Sequence, residues 1–487
     1  METPDEIWAD DLLGRRSEAV DLIGYLESVA VRPAFREDGH AHVLAVDARY
    51  GEGKSFFLRR FARHMAADSH PVAFVDAWVD DLEDEPLVAL AATLQRALEP
   101  YTTKHASVRE RVASFTQKAG KVGAIIATGL AKRGLGLIIT QGAVEALGDT
   151  LEHGAETAKD ANQDAAKELG KAMVDDAEKA LAKVTTPSME ARIARFREGQ
   201  DAVAQMKASL SAVVESLADL GIKTPVTIVI DELDRCRPTY AIKLLEEVKH
   251  LFDVPGVAFV LGLHADQLSH SVAAAYGTNF DAQSYLRRFF SRRYSLAPAR
   301  LDRLIAVLIS ALSLPTDRMA YPMVRRPEAY KAETLAPQAF ISDIMLAYGL
   351  SARDAFGLME SLQTAFALTD NSALVMVYLV PLLCVDIANA PSFSHFEREL
   401  PWNLAFSLHG WNEQVEEVSL ESLLKNIDAA LKLTPDDLMR AYNKERSSWG
   451  EKITWENHSG NINPYAQMRN YPKLIRILKR FTSAGDR

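Results

Sequence analysis

The chain has 487 residues, of which 48% are hydrophobic, 25% charged and 8% aromatic. Those are the proportions of folded protein, so wholesale disorder and fibrous repeats are excluded, and the length suits two to four domains. A formal charge of −11 excludes a protein that coats nucleic acid by bulk charge, and only two cysteines exclude a disulfide framework and fit a reducing cytoplasm.

The opening METPDEIWADD is acidic and lacks an apolar run, so no secretory signal is expected. Residues 42–46 (HVLAV) read as a short buried strand, then a Gly-containing turn, then a helix over 55–65. Residues 71–76 (PVAFVD) read as a second strand, with a helix after it around 86–98. Strands alternating with helices predict βα units and a parallel sheet. From about 101 to 219 the sequence is Ala-, Glu- and Lys-rich and predicts helices alone. Within it, residues from Ala158 to Val184 draw an apolar stripe at three- and four-residue steps, suited to helix pairing. Residues 121–148 are the nearest approach to a membrane span. Lys132 and Arg133 divide them into halves too short to cross singly. They read as a pair of Gly/Ala-rich helices or an amphipathic hairpin, with a surface-lying or re-entrant membrane contact as the other reading.

The strand pattern resumes at 225–230 (PVTIVI) and 257–263 (VAFVLGL), both apolar throughout, as in strands buried on two faces. A fifth strand is expected at 293–296, and from 299 the chain reads as mostly helical. At the end, 469–481 puts Lys473, Arg476 and Arg480 on one helix face and leucines and isoleucine opposite. That is a packed helix with a wet basic face; the competing reading is contact with nucleic acid or an acidic partner.

The chemistry begins at VLAVDARYGEGKSFF, a strand running through Tyr50, Gly51, Glu52, Gly53, Lys54, Ser55 and Phe56 into a helix. A phosphate-binding loop needs glycine where backbone N–H groups converge on an anion. It also needs a lysine for the β/γ-phosphates, a Ser or Thr hydroxyl for Mg²⁺, and a helix N-terminus behind them. Ala48 stands where the usual pattern has its first glycine, so Gly51 is expected to relieve the turn. The second element is TIVIDELDR, a strand ending in Asp231 and Glu232. An aspartate there can hold Mg²⁺ through water, and the glutamate can orient and deprotonate the attacking water. Together the two predict an α/β P-loop NTPase fold, a parallel sheet flanked by helices, that binds a nucleoside triphosphate with Mg²⁺. Its core would span 1–100 and 220–298, interrupted by a helical insertion over 101–219. Asp234 and Arg235 read as a local ion-paired turn, and Cys236 as a small buried residue.

IDELDRCRP is similar to the signature of the KAP family of P-loop NTPases. Val75-Asp76-Ala77-Trp78 resembles a family segment after the second strand, and Tyr285-Leu286-Arg287-Arg288-Phe289-Phe290 echoes another. The resemblance covers roughly the first 370 residues, and Glu232 replaces the family's usual second aspartate. It implies a catalytic base at Glu232 and phosphate contacts from Lys54. In related ATPases an arginine from the region of Arg287, Arg288, Arg292 and Arg293 stabilises the transferring phosphoryl group, in cis or in trans; otherwise these are a solvated basic face. Of these, Arg288 is the expected catalytic arginine. After the strand at 257–263 the family usually has an acidic residue, where this chain has His264 followed by Asp266; a polar group there can sense the γ-phosphate, and the competing reading is a helix cap. Ser351-Ala352-Arg353 resembles an arginine motif of helical lids, here 299–370, with a helical C-terminal domain over 371–487. Asp11-Leu12-Leu13-Gly14-Arg15 resembles the segment flanking adenine.

The resemblance implies ATP hydrolysis that drives a conformational or assembly switch. The protein would act as a homo-oligomer or in a hetero-complex. Bacterial members are linked to antiphage defence, the four-gene Qat system among them. The competing readings are a slowly hydrolysing regulatory scaffold and a peripheral membrane-associated organiser.

Overall fold

The computed structural model describes residues 2–31, 41–82, 85–137, 189–277, 279–321, 336–369, 372–391, 404–407, 415–443 and 464–480. The chain forms two compact units. One comprises Met1–Ile7, Ala19–Asp47 and Leu58–Ser295; the other comprises Trp8–Glu18, Ala48–Phe57 and Leu296–Arg487.

In chain order, the first elements are α1 (Pro4–Ile7), α2 (Arg16–Val31), β1 (His42–Asp47), α3 (Lys54–Ala67) and β2 (Val72–Asp76). Next come α4 (Ala77–Asp80), α5 (Pro86–Thr102), α6 (Ala106–Leu137) and α7 (Met189–Asp219). They lead to β3 (Val226–Asp231), α8 (Pro238–His250), β4 (Val257–Leu263), α9 (Ala265–Tyr276), α10 (Ala282–Leu286) and β5 (Arg292–Ser295).

The five strands make one parallel sheet in the order β2-β3-β4-β1-β5. β3 and β4 are buried at every position, which is why they carry uninterrupted apolar runs. The fifth strand pairs with β1 at the sheet edge, one residue earlier than the sequence predicts. Helices α5 to α8 supply Leu90, Leu94, Phe115, Leu210 and Leu244 to the core that holds Ile228 and Phe259. Phe252 meets Phe115 and Phe259 edge to face, at 6.4 and 6.1 Å; each such ring pair adds ~1 kcal/mol to its area burial. Pro86 and Pro238 open α5 and α8, where the missing N–H costs nothing. Gly262 lets α3 close on the sheet: a Cβ there would lie 2.2 Å from Leu58 Cδ1 and 2.9 Å from Asp231 Oδ1.

Between α5 and β3 the described residues form a helix pair. Val108, Val112, Phe115, Ala119 and Val122 of α6 share the core with Ala202, Met206, Leu210, Val213 and Leu217 of α7. Arg111 donates to the Ala212 carbonyl at 2.7 Å and Lys121 pairs with Glu198 at 3.6 Å, so the two helices run antiparallel. Instead of breaking at Lys132 and Arg133, α6 continues through both. Both are good helix formers, and charge interrupts a membrane span without interrupting a helix. Among the described residues no helix is long and apolar enough to cross a membrane. The stripe from Ala158 to Val184 and the rest of the predicted hairpin lie outside the described residues.

The second unit continues with α10's successors: α11 (Leu301–Ala311), β6 (Met319–Ala320), α12 (Pro337–Ala347), α13 (Ala352–Leu368), β7 (Leu374–Val375) and α14 (Met376–Ile387). It ends with β8 (Leu404–Ser407), β9 (Val415–Val418), α15 (Leu420–Ala430), α16 (Pro435–Tyr442) and α17 (Pro464–Leu478). Phe340, Ile344, Leu358, Leu362 and Leu423 centre its core. The buried Tyr471 hydroxyl of α17 accepts the Val375 N–H at 2.8 Å, and its ring stacks on Tyr378. That anchors the terminal helix and leaves Lys473, Arg476 and Arg480 exposed, the predicted wet face. Two small strand pairs, β6 with β7 and β8 with β9, interrupt the expected run of helices. At two and four residues each they are too short to register as a period-two pattern.

Candidate functional site

The turn after β1 is built around two glycines. Gly51 and Gly53 have φ of +85° and +83°, the region that glycine enters without cost, and Ala48 does not. A Cβ at Gly51 would lie 2.3 Å from Ser351 Oγ, and one at Gly53 would lie 2.6 Å from Leu13 Cδ1. The expectation that Gly51 does the work of the missing first glycine matches this geometry.

Lys54 begins α3 and is buried to 8% exposure, with its Nζ 5.8 Å from the centre of the half-exposed Tyr50 ring. Ser55 and Phe56 follow in the first turn. Phe57 N–H donates to the Gly53 carbonyl at 2.9 Å, the first helical bond behind the loop. The Glu52 side chain accepts the Arg49 N–H at 3.0 Å, closing the turn on itself.

Arg15 braces the loop from below its backbone. Its guanidinium donates to the Glu52 carbonyl, the Ala297 carbonyl and Glu18, each at 2.7 Å, and the residue is 1% exposed. Glu18 in turn accepts the Ala297 N–H at 2.8 Å. Gly14 beside it has φ +71°, and a Cβ there would lie 3.1 Å from Arg300 Cδ. Arg353 is exposed on α12's neighbour α13, and its Cβ is 3.1 Å from where a Gly51 Cβ would be. Ser351 N–H and hydroxyl both donate to Asp354 at 2.7 Å, which fixes the start of that helix against the loop.

The turn after β3 is built on acids. Asp231 is fully buried, and its Oδ1 accepts the Glu232 N–H at 2.8 Å. Glu232 has φ 59°, ψ 28°, a left-handed conformation that costs a non-glycine residue ~1 kcal/mol or more. A 3₁₀ turn, Leu233–Arg235, follows, and the Arg235 N–H donates to the Glu232 carbonyl at 3.1 Å. Arg235 Nη1 is 2.9 Å from both Glu232 carboxylate oxygens. The same guanidinium lies 5.6 Å from the centre of the Trp78 ring. Arg237 clamps Asp81, its N–H at 2.8 Å and its Nε at 2.9 Å from that carboxylate. Cys236 is buried, and burial, then Asp81 and Asp234, push its thiol up, so it is a packing residue and not a nucleophile.

His264 follows β4 and occupies the N-cap position of α9 without a cap bond from its side chain. The cap comes from Asp47 at the end of β1, which accepts the Ala265 N–H at 2.7 Å and pairs with Arg293 at 2.5 Å. Arg288 follows α10 with an exposed side chain, and its carbonyl accepts Lys249 Nζ at 2.8 Å. The aromatic segment around it is a cluster: Tyr285 meets Phe280 and Phe289 edge to face at 5.4 and 5.1 Å. Sequence reasoning missed Asp47 and Glu18, and singled out Trp78 only for its likeness to a family segment. Trp78 alone left a signal, a large aromatic just past a strand.

A parallel sheet with strand order 2-3-4-1-5, a glycine loop ending in Lys-Ser at a helix start, and an Asp-Glu strand end define a P-loop NTPase. The KAP family P-loop domain matches residues 17–332, and the chain belongs to that family. The match stops short of the roughly 370 residues over which the sequence resembles it. No curated protein matches. Among solved structures, C. elegans PCH-2 is similar at 11% identity and a TM-score of 0.28, over 79% of this chain and 71% of that one. The Aeropyrum pernix ORC2 protein, in ADPNP-ADP complexes, is similar at 13% identity and a TM-score of 0.29, over 96% of this chain and 86% of that one. Both are distant likenesses.

Proposed function

We propose that this protein hydrolyses ATP and uses the reaction to switch conformation or assembly, in a bacterial antiphage defence system of the Qat kind. The observation that carries the chemistry is the loop in which Gly51 and Gly53 turn left-handed immediately before Lys54 and Ser55. A backbone shaped that way turns its N–H groups toward an anion, and the start of α3 adds its dipole. Tyr50 to Phe56 cradle the phosphates, with Lys54 supplying the cation. Ser55 and Asp231 would hold Mg²⁺. A hydroxyl and a carboxylate are the hard oxygen donors that such a cation takes. When bound, Mg²⁺ neutralises charge that builds on the phosphates.

Glu232 takes the proton of a water molecule as that water's oxygen bonds to the γ-phosphorus. The bond from the γ-phosphorus to the bridging oxygen breaks, and its electron pair leaves with ADP, giving ADP and inorganic phosphate. Gly14, Arg15, His264 and Arg353 complete the nucleotide-binding set. Arg288 serves the transferring phosphoryl group, within one chain or across a homo-oligomer or hetero-complex with other defence proteins. Location in the cytoplasm follows from the same reading.

The test is Mg-ATP turnover by the wild type beside Glu232→Gln, with assembly followed by light scattering. The expected result is retained ATP binding with turnover reduced at least about 100-fold, the usual contribution of a general base. Undiminished turnover in Glu232→Gln, or a wild type that neither binds nor hydrolyses ATP with Mg²⁺, removes the reading.

A further inference from the structure

The side chain assigned to water activation is already engaged. Arg235 Nη1 sits 2.9 Å from both oxygens of Glu232, so the lone pairs that would accept a proton face a guanidinium. The contact is partly shielded, with the Glu232 side chain 13% exposed and that of Arg235 32%. Arg235 itself rests on the Trp78 ring at 5.6 Å, and Trp78 is 54% exposed.

The sheet explains why these three meet. Asp76 at the end of β2 is paired in register with Asp231 at the end of β3. Trp78 lies two residues past the first and Arg235 four past the second, so neighbouring strand ends deliver both. Each support is tied down separately. Asp76 caps α4 through the Val79 N–H at 3.2 Å, and Asp81 at the other end of α4 holds Arg237. Trp78 is therefore a fixed platform and not a loose surface aromatic.

We infer that Arg235, seated on Trp78, is a positioning residue that latches Glu232 away from water, so that hydrolysis proceeds only when this contact opens. The inference rests on the reading of Glu232 as the base. A guanidinium suits the role because its flat face stacks on an indole while its edge meets a carboxylate. Lysine offers a point charge that cannot do both.

The test is steady-state kinetics over a range of ATP concentrations for Arg235→Gln, Arg235→Lys, Trp78→Ala and the Arg235→Gln/Trp78→Ala pair, with melting curves for each. A partly exposed ion pair is a weak restraint, so the expected rise in kcat for Arg235→Gln is about five-fold, with KM for ATP unchanged. Arg235→Lys should lie between it and the wild type. Trp78→Ala should rise less, and the double variant should match Arg235→Gln, because both changes open one contact. If wild-type turnover is below detection, Arg235→Gln should bring it into range. A well-folded Arg235→Gln with kcat unchanged or lowered overturns the latch. Additive effects of the two single changes overturn the platform. If Arg235→Gln fails to fold, Arg235→Lys and Trp78→Ala carry the same decision. Turnover that survives in Glu232→Gln sinks the base assignment, whereas turnover lost there but not raised by Arg235→Gln sinks the latch alone.

Discussion

The turn after β1 and the turn after β3 both leave a buried parallel strand and enter a helical turn, yet they are stabilised by opposite charge. Around the first, the buried charges include Arg15 and Lys54, at 1% and 8% exposure. Around the second they are acids: Asp231 and Asp234, at 0% and 6%. The first turn achieves its shape with glycine, at Gly51 and Gly53, and spends its arginine on backbone carbonyls. The second forces a glutamate into the glycine region and holds it with a carboxylate below and a guanidinium above. A backbone-made cradle suits an anion that must be gripped from several sides. A side-chain-made turn suits a group that must change partners during a reaction.

That contrast can be broken in three places, and the cost of a buried acid read in a fourth. Lys54→Ala removes the loop's own cation and should weaken ATP binding by about 10- to 100-fold, read by calorimetry, since charge-assisted bonds of this kind contribute ~1.5–3 kcal/mol. An unchanged affinity would mean that the backbone cradle suffices alone.

Glu247, a buried acid in the last turns of α8 beside Lys243 and Glu85, should show the cost of its burial in a pH series. Burial, only partly offset by Lys243, raises the Glu247 carboxyl from an ordinary 4.5 to about 7. A raised folded-state pKa means the folded protein keeps a proton that the unfolded chain has lost, so stability falls as pH rises from 4.5 to about 7 and stays lower above it. Glu247→Gln should therefore match the wild type in stability slope below that window and gain roughly 2 kcal/mol, about a few degrees in Tm, at pH 8. No gain at pH 8 would show that the acid is better satisfied than its burial implies.

Gly51→Ala should cost ~1–2 kcal/mol and loosen ATP binding, because alanine resists the left-handed region and its Cβ would meet Ser351. The smallest effect belongs to Ala48→Gly. Ala48 is buried outside that region, so restoring the usual glycine should change stability by less than ~1 kcal/mol and leave ATP affinity alone. If Ala48→Gly tightened binding, the assignment of the turn to Gly51 would be wrong.

Much of this was legible in the amino-acid order. The apolar runs at 225–230 and 257–263 marked β3 and β4 because a strand covered on both faces has no polar side to show. Gly53-Lys54-Ser55 and Asp231-Glu232 were readable because their chemistry is carried by adjacent residues. The parallel sheet followed from strands alternating with helices. What tertiary structure decided was every pairing between residues far apart in sequence. Asp47 caps a helix 218 residues away, and Arg15 reaches a carbonyl 282 residues on. The same holds for Arg235 resting on Trp78, which meet only because β2 and β3 are neighbours in register. Residue type and spacing determine what a side chain can do; only the fold brings it the partner that decides whether it does so.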